Sequence, residues 1–88
     1  MHEHLQLRPT DADSEKMLVK RAYEQISPQA RLAMKMRKIR LLFANMRLID
    51  DVGDHLHVSV TLQCHCQKHT LIVTTEIPSM WVEEVKAD

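Results

Sequence analysis

Apolar residues recur at helical spacing near the start of the chain. Leu18, Ala22 and Ile26 follow one another at four-residue steps, which places them on one face of a helix. Acidic residues gather just before this segment, at the end where the helix dipole favours negative charge. The pattern predicts a first helix over residues 13–26.

Ser27 and Pro28 mark the start of a second helix. Serine can cap a first turn, and proline is tolerated at the first helical position. No glycine or proline follows until Gly53, and the apolar residues keep helical steps: Leu32, Met36, Ile39, Phe43 and Met46. The spacing predicts one helix over 28–48. In the alternative, residues 47–52 form a strand, which shortens this helix and makes a three-stranded meander.

Strict alternation of apolar and polar residues begins after Gly53. It predicts a β-hairpin with strands at about residues 55–66 and 69–77. A turn centred on Gln67 and Lys68 would place Leu62 opposite Val73. Both apolar sets would then share one face, as a half-buried hairpin requires.

The two ends complete the expected fold. Residues 1–9 are expected to be disordered or to form an edge strand, and Met80–Val85 is expected to form a short C-terminal helix. With 88 residues the chain is one domain. The expected fold class is α+β, with two N-terminal helices, a hairpin and a short closing helix.

Charge is unevenly distributed although the formal net charge is zero. Six of the twelve basic residues and none of the twelve acidic residues lie between Pro28 and Ile49, so this segment carries +6 and the remainder −6. A nucleic-acid-binding regulator that uses the second helix is therefore an alternative function. Its contacts would be Arg31, Lys35, Arg37, Lys38, Arg40 and Arg47.

A second apolar stripe runs along the predicted second helix. Met34, Leu41 and Leu48 recur at seven-residue steps on the side opposite the expected core face. A helix that is apolar on two sides is either enclosed in its domain or covered by another chain. We expect this stripe to contact a partner, most simply the same helix in a second copy.

Cys64, Cys66 and His69 are the residues that could hold zinc, since thiolates and imidazoles are its preferred ligands. Both cysteines continue the apolar face of the predicted strand, which favours packing over metal binding. A small zinc-stabilised domain is therefore the second alternative function, and no other cofactor is expected. A disulfide between the cysteines is not expected, because alternate residues of a strand stand too far apart.

The sequence contains no glycine-rich phosphate loop, no H-E-x-x-H and no nucleophile motif, so the protein is expected not to be an enzyme. No apolar stretch has the length of a membrane span or a secretory signal, which predicts a cytoplasmic protein without membrane contact. The expected function is a small protein-interaction or regulatory module. It is expected to be homodimeric through the second helix and to bind another protein.

Overall fold

The computed structural model describes residues 5–86 as two helices and a five-stranded sheet. Every pair of neighbouring strands is antiparallel, in the order β4-β3-β2-β1-β5. The elements follow one another along the chain as β1 (Gln6–Pro9), α1 (Ala12–Glu24), α2 (Pro28–Met36), β2 (Leu41–Asp51), β3 (His55–Cys64), β4 (Thr70–Pro78), a 3₁₀ turn (Ser79–Trp81) and β5 (Val82–Glu84).

The first helix begins and ends within two residues of its predicted range. Asp11 caps it, because its Oδ1 accepts a hydrogen bond from the Ser14 N–H at 2.8 Å. Leu18 and Ala22 are fully buried against the sheet, and Ile26 follows them into the core. The predicted core face of α1 is therefore the face that packs.

The prediction of a second helix reaching residue 48 is wrong, because α2 ends at Met36. Lys38 adopts a left-handed backbone with φ of 56°, and two hydrogen bonds close the helix around it. Lys38 N–H donates to the Lys35 carbonyl at 3.1 Å and Ile39 N–H donates to the Met34 carbonyl at 2.8 Å. This pattern is a Schellman motif, which usually has glycine at the left-handed position.

Strand β2 occupies the second half of the predicted helix. Its pairing with β3 shifts register twice, which makes Ala44 and Ile49 the extra residues of two β-bulges. Its core-facing residues are therefore Leu41, Phe43, Met46 and Leu48. The bulge at Ala44 spaces two of these residues by three instead of two, so the strand imitates part of a helical pattern. Of the strand considered for residues 47–52, residues 47–51 lie inside β2, which begins six residues earlier.

The two strands of the β3–β4 hairpin stop further from the turn than predicted, so the connecting loop is longer. Leu62 pairs with Leu71 and not with Val73, so the register differs from the predicted one by two residues. The connection is a five-residue loop over residues 65–69, in which Gln67 has φ of 65°. Because side chains alternate with a period of two, the shift leaves both apolar sets on the same face.

The predicted C-terminal helix at Met80–Val85 is also wrong. Only Ser79–Trp81 forms a 3₁₀ turn, and Val82–Glu84 is the strand β5, which pairs with β1. An ion pair between Arg8 Nε and Glu83 Oε2 at 2.7 Å joins the same two strands.

β1 lies inside the sheet, between β2 and β5, so it is neither a disordered segment nor an edge strand. The part of that prediction that concerns residues 1–4 falls outside the described residues.

The core forms between α1 and one face of the sheet. The largest fully buried side chains are one from α1 and five from the strands: Leu18, Met46, Val58, Val60, Leu62 and Ile77. Tyr23 joins α1 to the start of β2, since its hydroxyl accepts from the Leu41 N–H at 3.3 Å. The opposite face of the sheet carries mostly polar residues, with Leu42 and Ile72 exposed among them.

Replacing Lys38 with glycine should stabilise the protein, because glycine adopts the left-handed conformation without a Cβ clash. The matched control is Lys38→Ala, which removes the same charge and keeps the clash. We expect the glycine variant to exceed the alanine variant by about 1 kcal/mol in free energy of unfolding, measured with urea. Equal stability of the two variants would contradict the Schellman geometry.

The cap of α1 should make stability depend on pH. The Ser14 N–H donates to Asp11 and holds the pKa of that carboxyl below its ordinary value of 3.8. The resulting stabilisation is present above the ordinary value and is lost as pH falls through the lower folded-state pKa.

Asp11→Ala should therefore lower the melting temperature at neutral pH, and the difference from the wild type should shrink in acid. Asp11→Asn is the control, since asparagine caps as well and does not titrate. A melting-temperature difference between wild type and Asp11→Ala that stays constant into strong acid would refute this account of the cap.

Candidate functional site

The most exposed element of the structure is α2 with the loop that follows it. None of the nine residues of α2 is buried. Ser27 caps its start, since Ser27 Oγ accepts from the Ala30 N–H at 3.1 Å. The Schellman motif fixes its end. We call residues 31–40, which run from the middle of α2 to the start of β2, the α2 surface.

The apolar residues of α2 point in two opposite directions. Met34 is half-buried and packs against the core, together with Ile39. Residues two positions apart are about 200° apart around a helix, so Leu32 and Met36 lie on the far side from Met34. Their exposed fractions are 57% and 76%. The α2 surface therefore presents two large apolar side chains to solvent.

The predicted interface stripe does not lie on a helix. Only Met34 belongs to α2, whereas Leu41 and Leu48 lie in β2 on the core-facing side of the sheet. Leu41 is 5% exposed, and the other two residues pack against the core. The assignment of faces is thus the reverse of the predicted one for α2, where Leu32 and Met36 were expected to be buried.

Five of the six basic residues predicted as nucleic-acid contacts lie together on the α2 surface. All five are exposed: Arg31, Lys35, Arg37, Lys38 and Arg40. Arg47, the sixth, lies in β2 opposite Ser59, on the polar face of the sheet. Among residues 5–86, none of the six takes part in an ion pair.

A groove of about 550 Å³ adjoins this surface, between α1 and the start of β2. Arg40 belongs to both the groove and the α2 surface. The remaining lining residues combine charged and apolar side chains: Glu15, Lys16, Val19, Leu41, Leu42 and Phe43. An apolar segment of a molecule bound at the α2 surface could extend into this groove and make further apolar contacts.

Cys64 and Cys66 form a disulfide, contrary to the sequence expectation. The expectation assumed that both lie in one strand, but β3 ends at Cys64 and the chain turns immediately. The Gln67 N–H donates to the Cys64 carbonyl at 2.7 Å and closes this turn. The two Cα atoms are therefore 5.1 Å apart, within the range for a disulfide.

The candidate zinc ligands are not arranged as a metal site. Cys64 is 3% exposed, whereas Cys66 and His69 are exposed in the turn. Within the described range, no group of three His, Cys, Asp or Glu residues is placed to hold a metal ion. Zinc binding by these residues would first require reduction of the disulfide, because the ligand is the thiolate. It remains a prediction.

Two further findings concern the chain as a whole. No helix in the described part of the chain combines the length and apolar character needed to cross a membrane. Comparison with protein-family models, with curated proteins and with solved structures finds no match for this chain.

Sequence reasoning missed the exposed pair Leu32 and Met36. Their heptad spacing with Ile39 predicts that they are buried. They are exposed instead because α2 ends at Met36 and packs through Met34. The signal that could have found them is the two-residue spacing of Leu41 with Phe43 and of Met46 with Leu48, which fits a strand with one bulge between the two pairs.

The disulfide predicts a specific labelling result. After purification without reductant, denaturation and iodoacetamide treatment should label neither of the two cysteines, and both should be labelled after reduction. Intact-mass spectrometry reads the difference. A Cys64→Ser, Cys66→Ser double variant, which should show no label in either condition, is the control. Labelling of both cysteines before reduction would contradict the disulfide.

Proposed function

We propose that this chain is a small, non-enzymatic protein-interaction module that binds an acidic partner protein through the α2 surface. The observation that carries the proposal is the exposure of Leu32 and Met36 among five basic residues. The segment from Arg31 to Arg40 contains no acidic residue.

Apolar exposure supports a protein partner. Met36 is 76% exposed, although its helix is held in place at both ends by hydrogen bonds. Methionine adapts its shape to different partners and is common at binding surfaces. Contact with a partner would remove this apolar area from water, which is favourable in proportion to the area buried.

Charge supports an acidic partner. The five basic side chains have no ion-pair partner among residues 5–86, so their charges face solvent. Complementary charge speeds association and selects among partners more than it adds affinity. The best fit is a protein segment in which acidic residues flank an apolar side chain that contacts Met36 and the neighbouring groove.

A second copy of the chain fits this surface less well. A contact between two α2 surfaces would bring five positive charges against five, and such juxtaposition opposes association. The homodimer through the second helix, predicted from Met34, Leu41 and Leu48, therefore stays a prediction without support from charge.

Nucleic acid is the second candidate partner, favoured by the exposure of the same five basic residues. Phosphate contacts release counterions, so binding would weaken steeply as salt rises. Leu32 and Met36 offer nothing to a phosphate backbone, which is why we place a protein first. The proposal includes neither a cofactor nor a membrane contact.

We keep the cytoplasm as the proposed compartment. Disulfides persist mainly in oxidising compartments, and those found in the cytoplasm are usually transient. The labelling experiment above, repeated on cells quenched with acid, would therefore also test the compartment. Reduced cysteines in the cell would support the cytoplasm.

The test compares two methionines of equal exposure. Met36 on the α2 surface and Met80 in the 3₁₀ turn are 76% and 77% exposed. Each tagged variant is incubated with nuclease-treated extract of the source cell, and bound proteins are quantified by mass spectrometry. The protein recovered in greatest excess over a tag-only control is then purified and titrated by calorimetry.

We expect Met36→Glu to weaken binding of that purified protein by about tenfold or more, and Met80→Glu to leave it unchanged. Arg37→Glu with Arg40→Glu should weaken it as well, most strongly at low salt. If Met36→Glu binds as tightly as the wild type, the proposal fails. If a labelled oligonucleotide binds more tightly than every captured protein, and its binding weakens steeply as salt rises, the second candidate is favoured.

A further inference from the structure

Strand β4 forms one edge of the sheet. It is nine residues long and has β3 on one side only. The β3–β4 register runs without a bulge from His55 opposite Pro78 to Gln63 opposite Thr70. Backbone groups on the other side of β4 therefore face outward in a regular row.

Two hydrogen bonds show which residues of β4 point their backbone N–H and carbonyl groups to the open edge. The Cys64 N–H donates to the His69 carbonyl at 2.8 Å, so odd-numbered residues of this segment bond to β3. The Glu76 carbonyl instead accepts from Arg21 Nη1 at 3.0 Å, from outside the sheet. Thr70, Ile72 and Thr74 share the parity of Glu76 and point their N–H and carbonyl groups to the open edge.

The open part of this edge has few of the features that usually block strand pairing. Proteins protect edges with charges, prolines, bulges or a covering element. Here Arg21 covers the edge at Glu76 and Pro78 ends the strand, but residues 70–75 contain no charge, proline or glycine. Ile72 is 63% exposed on the polar face, and Leu71 and Val73 are half-buried on the core face.

We propose that two copies of the chain pair through β4, antiparallel, about a two-fold axis at Ile72. The two sheets would join into one continuous sheet of ten strands. The outward-pointing residues would form the hydrogen-bonded pairs, with Ile72 opposite Ile72 and Thr70 opposite Thr74. On the core face, Leu71 would lie opposite Val73 of the second copy and extend the apolar surface.

Charge favours this register over its neighbours. Lys68 is exposed in the turn that precedes β4. With the axis at Ile72, it would come near Glu76 of the other copy, which gives two symmetric ion pairs. Moving the axis to Val73 keeps the backbone phase but places Glu76 opposite the uncharged Thr70. Arg21 does not oppose the arrangement, because the backbone pairing needs only residues 70–74 and the Glu76 carbonyl can keep its hydrogen bond from Arg21 Nη1.

This inference goes beyond the proposed function, because the β4 edge and the α2 surface share no residue. Met36→Glu should leave the β4 dimer intact, so the failure of one proposal can be distinguished from the failure of the other.

The test is a charge swap, read by sedimentation equilibrium and native mass spectrometry. Lys68→Glu alone and Glu76→Lys alone each place like charges in both symmetric pairs and should weaken the dimer about tenfold. The double variant carrying both changes restores opposite charges and should recover most of the wild-type affinity. Lys86→Glu, beyond the opposite edge strand, is the matched control and should change nothing.

A second pair of variants tests the axis itself. Ile72→Lys would bring two ammonium groups together and should give a monomer, whereas Ile72→Thr keeps strand propensity and should retain a weaker dimer. Circular dichroism checks that each variant is folded. A monomeric wild type at all concentrations, no recovery in the charge-swap double variant, or equal weakening by Lys86→Glu would each overturn the proposal.

Discussion

The structure depends on the contact between α1 and the inner face of the sheet. Leu18 is the one fully buried large side chain from a helix, and its counterparts come from three strands. Ala22 lets the helix approach the sheet closely, and Tyr23 fixes the position where β2 begins. Because α2 contributes no fully buried residue and meets the core through the half-buried Met34, most of the core forms without it. Partner binding at α2 would therefore not require the core to rearrange.

The sequence predicts the elements that rely on local patterns and misses those set by distant pairing. The spacing of Leu18 and Ala22 reflects one helix face, so α1 and its buried side could be predicted. The alternation from Leu56 onward likewise identifies the hairpin and its faces. β5 could not be predicted in this way, since its pairing with β1 joins Leu7 to Glu84 across almost the whole chain.

The boundary between α2 and β2 shows why a strong local pattern can mislead. A bulge at Ala44 gives the strand a three-residue step between Phe43 and Met46, as a helix would show. The helix stops at Lys38, which has a left-handed backbone. Lysine, unlike glycine, does not indicate this conformation in a sequence. The basic composition of the candidate site was readable from the sequence. Which apolar residues face solvent was not, because that depends on where α2 ends.

The position of β1 has a consequence for how the chain is made. A ribosome produces β1 before either of its neighbours, and β5 is produced only after the other four strands. Until then the backbone of β1 has at most one strand to pair with, because its other neighbour is β2. The nascent chain therefore carries an open edge at β1 until β5 has been made. Contacts between residues this distant in sequence also form slowly, so the last strand to be translated closes the sheet.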